Sequence, residues 1–131
     1  MLVADKEQER RKYIRVNPAM GNPVLSNIKL NGREFNKLQV IDISLGGVAL
    51  KLPELRMKPT TGTHILDMNF YLPQVGVAVA SGIVRRIVTE FLTNEIACAL
   101  EFTKVPTSSD RLFFRYINNR QRELSWFDRG N

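Results

Sequence analysis

The 131 residues hold 19 Lys and Arg against 13 Asp and Glu, a formal charge of +6 at pH 7, and 44% are hydrophobic. This is the length of one domain, able to bury a core without disulfides or a structural metal, and the apolar share excludes a disordered chain. The basic balance favours an anionic partner, whether nucleotide, nucleic acid or membrane surface, without choosing among them.

Cys98 is the single cysteine and His64 the single histidine. One of each cannot build a zinc site or a Cys–His nucleophile pair. No run approaches the ~20 apolar residues of a membrane-spanning helix. The opening "MLVADKEQERRK" has no apolar core of a signal peptide. The expectation is a cytoplasmic protein.

In chain order, residues 1–9 are a mixed-charge lead-in, expected to be flexible. "ERRKYIRV" (9–16) then gathers Arg10, Arg11, Lys12 and Arg15. Arg11 and Arg15, four apart, face the same way in a helix or a strand. The β-branched Ile14 and Val16, with Pro18 close behind, disfavour a helix. Extended, the two Cα atoms stand roughly 13 Å apart, so their side chains can hold opposite parts of one ligand. The guanidinium fork suits phosphate and the O6/N7 edge of guanine. Taken alone, such a cluster near a terminus is usually a solvated tail.

From residue 23 the pattern is β. "PVLSNIKL" (23–30) runs into Asn31-Gly32, a strong hairpin signal, and then "FNKLQVIDIS" (35–44). Further strands are predicted at 46–52, 63–73, 75–90 and 94–105. In the fourth, Leu66, Met68, Phe70 and Leu72 are expected to share a face. In the fifth, Gly82 marks a bulge or bend. In the sixth, Ile96, Cys98, Leu100 and Phe102 share a face, which makes Cys98 a buried, inert thiol. After "PTSSD" the spacing of Leu112, Phe113, Tyr116, Ile117, Leu124 and Phe127 becomes helical, with Ser108 or Ser109 as N-cap and Arg111, Arg115, Arg120, Arg122 and Glu123 on the wet side. The expected fold is mainly all-β: a six-stranded antiparallel barrel with a C-terminal α-helix. The helix caps the barrel mouth or meets a partner subunit. The expected organisation is a lead-in over 1–9, the barrel with its arginine segment over 10–106, and the helix over 107–131.

The second polar element is "DISLGG" (42–47). Asp42 and Ser44, two apart at a strand end, are expected on one face, with Ile41, Ile43 and Leu45 on the other. A carboxylate can accept the adjacent N1–H and N2–H₂ donors of guanine, and Ser44 can donate or accept. Gly46 and Gly47 permit unusual backbone angles and close approach of a ligand. The competing reading is a turn whose Asp and Ser cap their own backbone.

Arg11-x-x-x-Arg15 at the entry to a β-barrel, followed about thirty residues later by Asp42-x-Ser44-x-x-Gly47, resembles the PilZ domain family. The resemblance spans about 10–125 and includes the "SGIVRR" and "ACALEF" strands before the terminal helix. It implies a cyclic di-GMP receptor that is not an enzyme and needs no cofactor or metal. The ligand lies on the outside of the barrel, contacted by Arg11, Arg15, Asp42, Ser44 and Gly47, and the arginine segment wraps it. Arg10, just before the first motif, implies two intercalated ligand molecules. Ala97 or Ala99 stands where many relatives have glycine. The terminal "LFFRYINNRQREL" is similar to the helix of YcgR-type flagellar brake proteins, whose additional N-terminal β-domain is not seen here. The resemblance further implies control of a partner protein in motility, biofilm or secretion machinery, with a homodimer among the assemblies it allows. The readings held against it are a small basic barrel that binds nucleic acid and a PilZ-like adaptor that binds no nucleotide.

Overall fold

The computed structural model describes residues 14–52, 58–90 and 92–129, with side chains described as far as 125. Among the described residues, six strands and one helix follow in order: β1 Leu25–Leu30, β2 Arg33–Ile43, β3 Gly47–Leu52, β4 His64–Leu72, β5 Gly76–Thr89, β6 Ile96–Lys104 and α1 Thr107–Arg129. The strands close into an antiparallel barrel in the order β1-β2-β3-β6-β5-β4. This is the expected architecture.

Local chemistry explains the closure. Asn31 (φ 53°) and Gly32 (φ 78°) both take left-handed angles, so the β1–β2 hairpin turns tightly with the twist its strands need. Alternation then sends Leu50, Leu52, Ile96, Cys98 and Leu100 inward, all 3% exposed or less, and leaves Ala49, Lys51, Ala97 and Ala99 on the outer wall. The seam is completed by a short β1–β4 pairing, Leu25↔Tyr71 to Asn27↔Asn69.

Bulges redirect side chains where strict alternation would not. Between β4 and β5 the register passes from Ile65↔Gly82 to Met68↔Ala80, with Asp67 at φ 51°. The extra residue turns the start of β4 over. Ile65 is 1% exposed and inside, while Leu66 is 66% exposed and outside. Leu66 therefore does not share the face of Met68, Phe70 and Leu72 as expected; those three do line the core. The irregularity expected at Gly82 is present: the β5–β6 register shifts between Ser81 and Gly82, and a Cβ at Gly82 would stand 2.8 Å from the Glu101 carbonyl oxygen.

The helix begins at Thr107, directly after Pro106, whose carbonyl accepts the Asp110 N–H at 2.9 Å. Neither Ser108 nor Ser109 is the N-cap, since both lie inside the helix; Ser109 has another role. It is buried, and its hydroxyl accepts the Val79 N–H at 2.9 Å, which ties the first turn to β5. Phe113, Tyr116 and Ile117 form the buried stripe. Phe113 meets Phe70 and Phe102 with ring centroids 5.4 and 5.3 Å away, so two of the strand aromatics serve the core rather than a stacking surface. Burial at this scale contributes about 1.5–3 kcal/mol per large side chain. Arg120 corrects a second expectation. It continues the buried stripe, its side chain 14% exposed, instead of joining Arg111, Arg115 and Arg122 on the wet side.

Candidate functional site

The site starts at the β2–β3 turn. The Ser44 N–H donates to the Gly47 carbonyl at 2.9 Å, and the Ser44 hydroxyl accepts the N–H groups of Gly46 and Gly47, each at 3.1 Å. Ser44 is 2% exposed. Its hydroxyl is thus engaged by the turn, as the competing sequence reading described, and does not stand free beside Asp42. Gly46 passes its carbonyl to the Phe102 N–H at 2.9 Å, which pins the turn to β6. At Gly47 the backbone runs so close to β6 that a Cβ would strike the Leu100 carbonyl oxygen. Only glycine fits there, for want of space rather than for an unusual φ.

Just before the turn, β2 carries a bulge. Val40 pairs with Leu50 and Asp42 with Ala49, so two residues of β2 advance against one of β3. Val40 and Ile43 both face the core, at 1% and 0% exposure, and the extra residue Ile41 is half-buried with Leu45. Asp42 stays on the outer wall. The Ile41 carbonyl is taken by the Asn17 side-chain amide at 2.9 Å. One residue earlier, Val16 forms a two-way bridge with Ile43, both hydrogen bonds 3.0 Å. The end of the arginine segment therefore lies along β2, and this aims Arg15 at Asp42. Arg15 Nη1 donates to Asp42 Oδ1 at 2.7 Å, with side-chain exposures of 54% and 26%.

The pairing register extends the site sideways. Asp42 opposes Ala49, Ala49 opposes Ala99, and Ala99 opposes Arg86. At ordinary strand spacing this row is roughly 14 Å from end to end, an acid and a cation separated by two methyl groups. Ala99 is thus the alanine beside the acid corner, and Ala97 belongs to the next row with Lys51. A second bulge puts Arg86 there: Val84 pairs with Leu100 but Arg86 with Ala99, so Arg85 and Arg86 are both exposed. Arg85 pairs with Glu101 at 2.7 Å. Sequence reasoning named no role for Arg86. The "RR" was visible, but simple alternation turns its second member inward. Next to this row, a groove of about 830 Å³ is bordered by the Asn17–Pro23 loop and by Gln39, Ile41, Lys51 and Ala97.

Of the six residues the sequence singled out, Arg15 and Asp42 are in contact, and Ser44 and Gly47 build the turn beside them. Arg10 and Arg11 lie outside the described residues. Among the described residues, no three His, Cys, Asp or Glu side chains gather as a metal site would need, and no helix is long and apolar enough to cross a membrane.

In this closed barrel, Arg15 of the first sequence motif meets Asp42 of the second on the outer wall. The chain belongs to the PilZ family: a family model described as PilZ domain matches residues 9–119. It is 28% identical to the flagellar brake protein YcgR of Azoarcus sp. (strain BH72), over 93% of this chain and 50% of that protein. The chain spans about half the length of the curated relatives it matches. Among solved structures it is similar to the PilZ domain of YcgR from Escherichia coli with c-di-GMP, at TM-score 0.66 and 22% identity, covering 88% of this chain and 94% of that one. It is also similar to the inhibitor of motility MotI/DgrA of Bacillus subtilis, at TM-score 0.73 and 20% identity, covering 87% and 52%.

Proposed function

We propose that the protein is a cyclic di-GMP receptor that changes conformation on binding and thereby regulates a partner protein, acting by recognition rather than as an enzyme. The observation that carries this reading is the Arg15–Asp42 contact, which joins the two motifs at one place on the outer wall. Their chemistries divide the ligand. Asp42 accepts the paired N–H donors of a guanine edge and would repel phosphate. Arg15, with Arg10 and Arg11, supplies forks for phosphate and for the guanine O6/N7 edge. Ser44 and Gly47 hold the corner in shape, and Ala49 and Ala99 leave a shallow floor on which a flat base can lie. Arg86 closes the far side of that floor as a further cation.

The switch follows from charge. Asp42 already holds Arg15 and Ile43 already holds Val16; a dianion offsets the mutual repulsion of Arg10, Arg11, Lys12 and Arg15 and gathers the rest of the segment around the ligand. Arg10 favours two intercalated ligand molecules. The names of the relatives, a flagellar brake and an inhibitor of motility, support motility machinery as the output. Isothermal titration with cyclic di-GMP tests the reading. Saturable binding with two ligands per chain is expected, and absence of binding overturns it. Tight, steeply salt-dependent binding to short RNA or DNA with no response to cyclic di-GMP would assign the basic barrel to nucleic acid instead.

A further inference from the structure

Phe113, Tyr116, Ile117 and Arg120 follow the i, i+3, i+4, i+7 spacing of one helix stripe. The first three are buried against the barrel, and an apolar residue is expected at the fourth. A guanidinium stands there instead. Its Nε donates to the backbone carbonyl of Asn17 at 2.6 Å, and its Nη1 donates to Glu123 Oε2 at 2.9 Å. Asn17 is 103 positions away in sequence and two residues after Arg15. The Asn17 side chain in turn donates to Ile41, the extra residue of the bulge next to Asp42. Asn17 is therefore gripped from two sides, by the strand that carries the acid and by the helix.

We propose that Arg120 is a positioning residue for the arginine arm: by holding the Asn17 carbonyl it sets where Arg15 meets Asp42, and it makes α1 part of the ligand site. The Val16–Ile43 bridge and the Asn17–Ile41 bond anchor the arm to β2 alone. The Arg120 bond is the described contact that ties it to another element. Donation from a cation to a carbonyl is among the stronger hydrogen bonds, and although Asn17 itself is exposed, the Arg120 side chain that makes the bond is mostly covered, at 14% exposure. An arm held in place offers a larger binding-competent fraction, so ligand affinity rises with it. By reciprocity, ligand on the arm holds α1 in place, which gives the helix a means to report occupancy to a partner.

The affinity readout rests on the cyclic di-GMP reading; the ordering of the arm does not, so the two fail separately. The full chain is compared with Arg120→Gln, Arg120→Lys and, as a control elsewhere on the helix, Leu124→Ala. Without ligand, Arg120→Gln is expected to speed amide exchange at Val16 about tenfold while core amides such as Leu50 keep their protection; Arg120→Lys and Leu124→Ala leave Val16 nearly unchanged. With cyclic di-GMP, Arg120→Gln is expected to weaken binding about tenfold and Arg120→Lys to recover most of it. Unchanged exchange at Val16 in Arg120→Gln overturns the proposal, as does equal acceleration of every amide. If the unaltered chain binds no cyclic di-GMP, the receptor reading falls and the exchange comparison still decides the role of Arg120.

Discussion

Arg15 and Asp42, 27 residues apart in the chain, meet at 2.7 Å on the outer wall of the barrel, where both remain partly exposed. A pair so open to water contributes at most about 1 kcal/mol to folding. Its energetic value lies in what each partner can offer a ligand. Arg15→Ala and Asp42→Ala are therefore expected to leave the melting temperature within a few degrees of the parent. Each should lower cyclic di-GMP affinity at least tenfold, about the loss of one charged hydrogen bond. Calorimetric titration and thermal melts of both variants check this. Parent-like affinity in the two together removes the site.

The turn that carries the second motif should behave in the opposite way, through stability. Gly47→Ala forces a methyl group into the Leu100 carbonyl, which belongs to a paired strand and cannot step aside. Overpacking of this kind costs about 1–3 kcal/mol. Ser44→Ala strips the Gly46 and Gly47 N–H groups of their acceptor and should cost about 1–3 kcal/mol. Urea unfolding midpoints measure both. A Ser44→Ala variant as stable as the parent that has lost ligand affinity would mean that the hydroxyl serves the ligand directly.

The strands and the helix were readable because each follows one period for most of its length, and because Asn31-Gly32 and Gly46-Gly47 mark their turns chemically. What escaped was where the period slips. One extra residue moves every later side chain to the other face. Leu66 goes outside, Ile41 is only half-buried while Ile43 fills the core as expected, and Arg86 reaches the outer wall beside Ala99. None of these bulges has a composition signal as plain as Gly82. Arg120 escaped for another reason. A charge on a helix is assigned to water by default, and its acceptor, a backbone carbonyl 103 residues away, leaves no trace in the local sequence. Ser44 offered two roles of similar chemistry, and only the closeness of the Gly46 and Gly47 N–H groups selects the turn.

Helix docking sets a third expectation. Phe113 is 1% exposed and touches the Phe70 and Phe102 rings, so Phe113→Ala should cost about 3–5 kcal/mol through lost contacts and a residual cavity. Leu124, 42% exposed further along the same helix, should tolerate alanine within about 0.5 kcal/mol. Denaturant unfolding of the two variants side by side tests whether α1 is integral to the domain. If both are neutral, the helix is an appendage and the stripe described above does not hold it.

Alkaline pH supplies the last test, through a group distant from the ligand. Burial among β3, β5 and β6 pushes the Cys98 thiol from 9.0 to about 11. The folded state thus keeps the proton that the unfolded chain gives up first. Stability is fully present below pH 9 and is lost as pH rises from 9 toward 11, by about 1.4 kcal/mol per unit and so about 2–3 kcal/mol in all. Tyr116, also raised by burial, adds to the same slope at higher pH. Cys98→Ala should flatten the part of the slope that starts near pH 9, at the cost of a small cavity. Urea midpoints at pH 8, 9.5 and 10.5 for parent and variant measure the difference. The same burial predicts that native Cys98 resists alkylation at pH 8, whereas the urea-unfolded chain reacts readily. Rapid labelling of the native protein would place the thiol at the surface and remove the cause given for its shift.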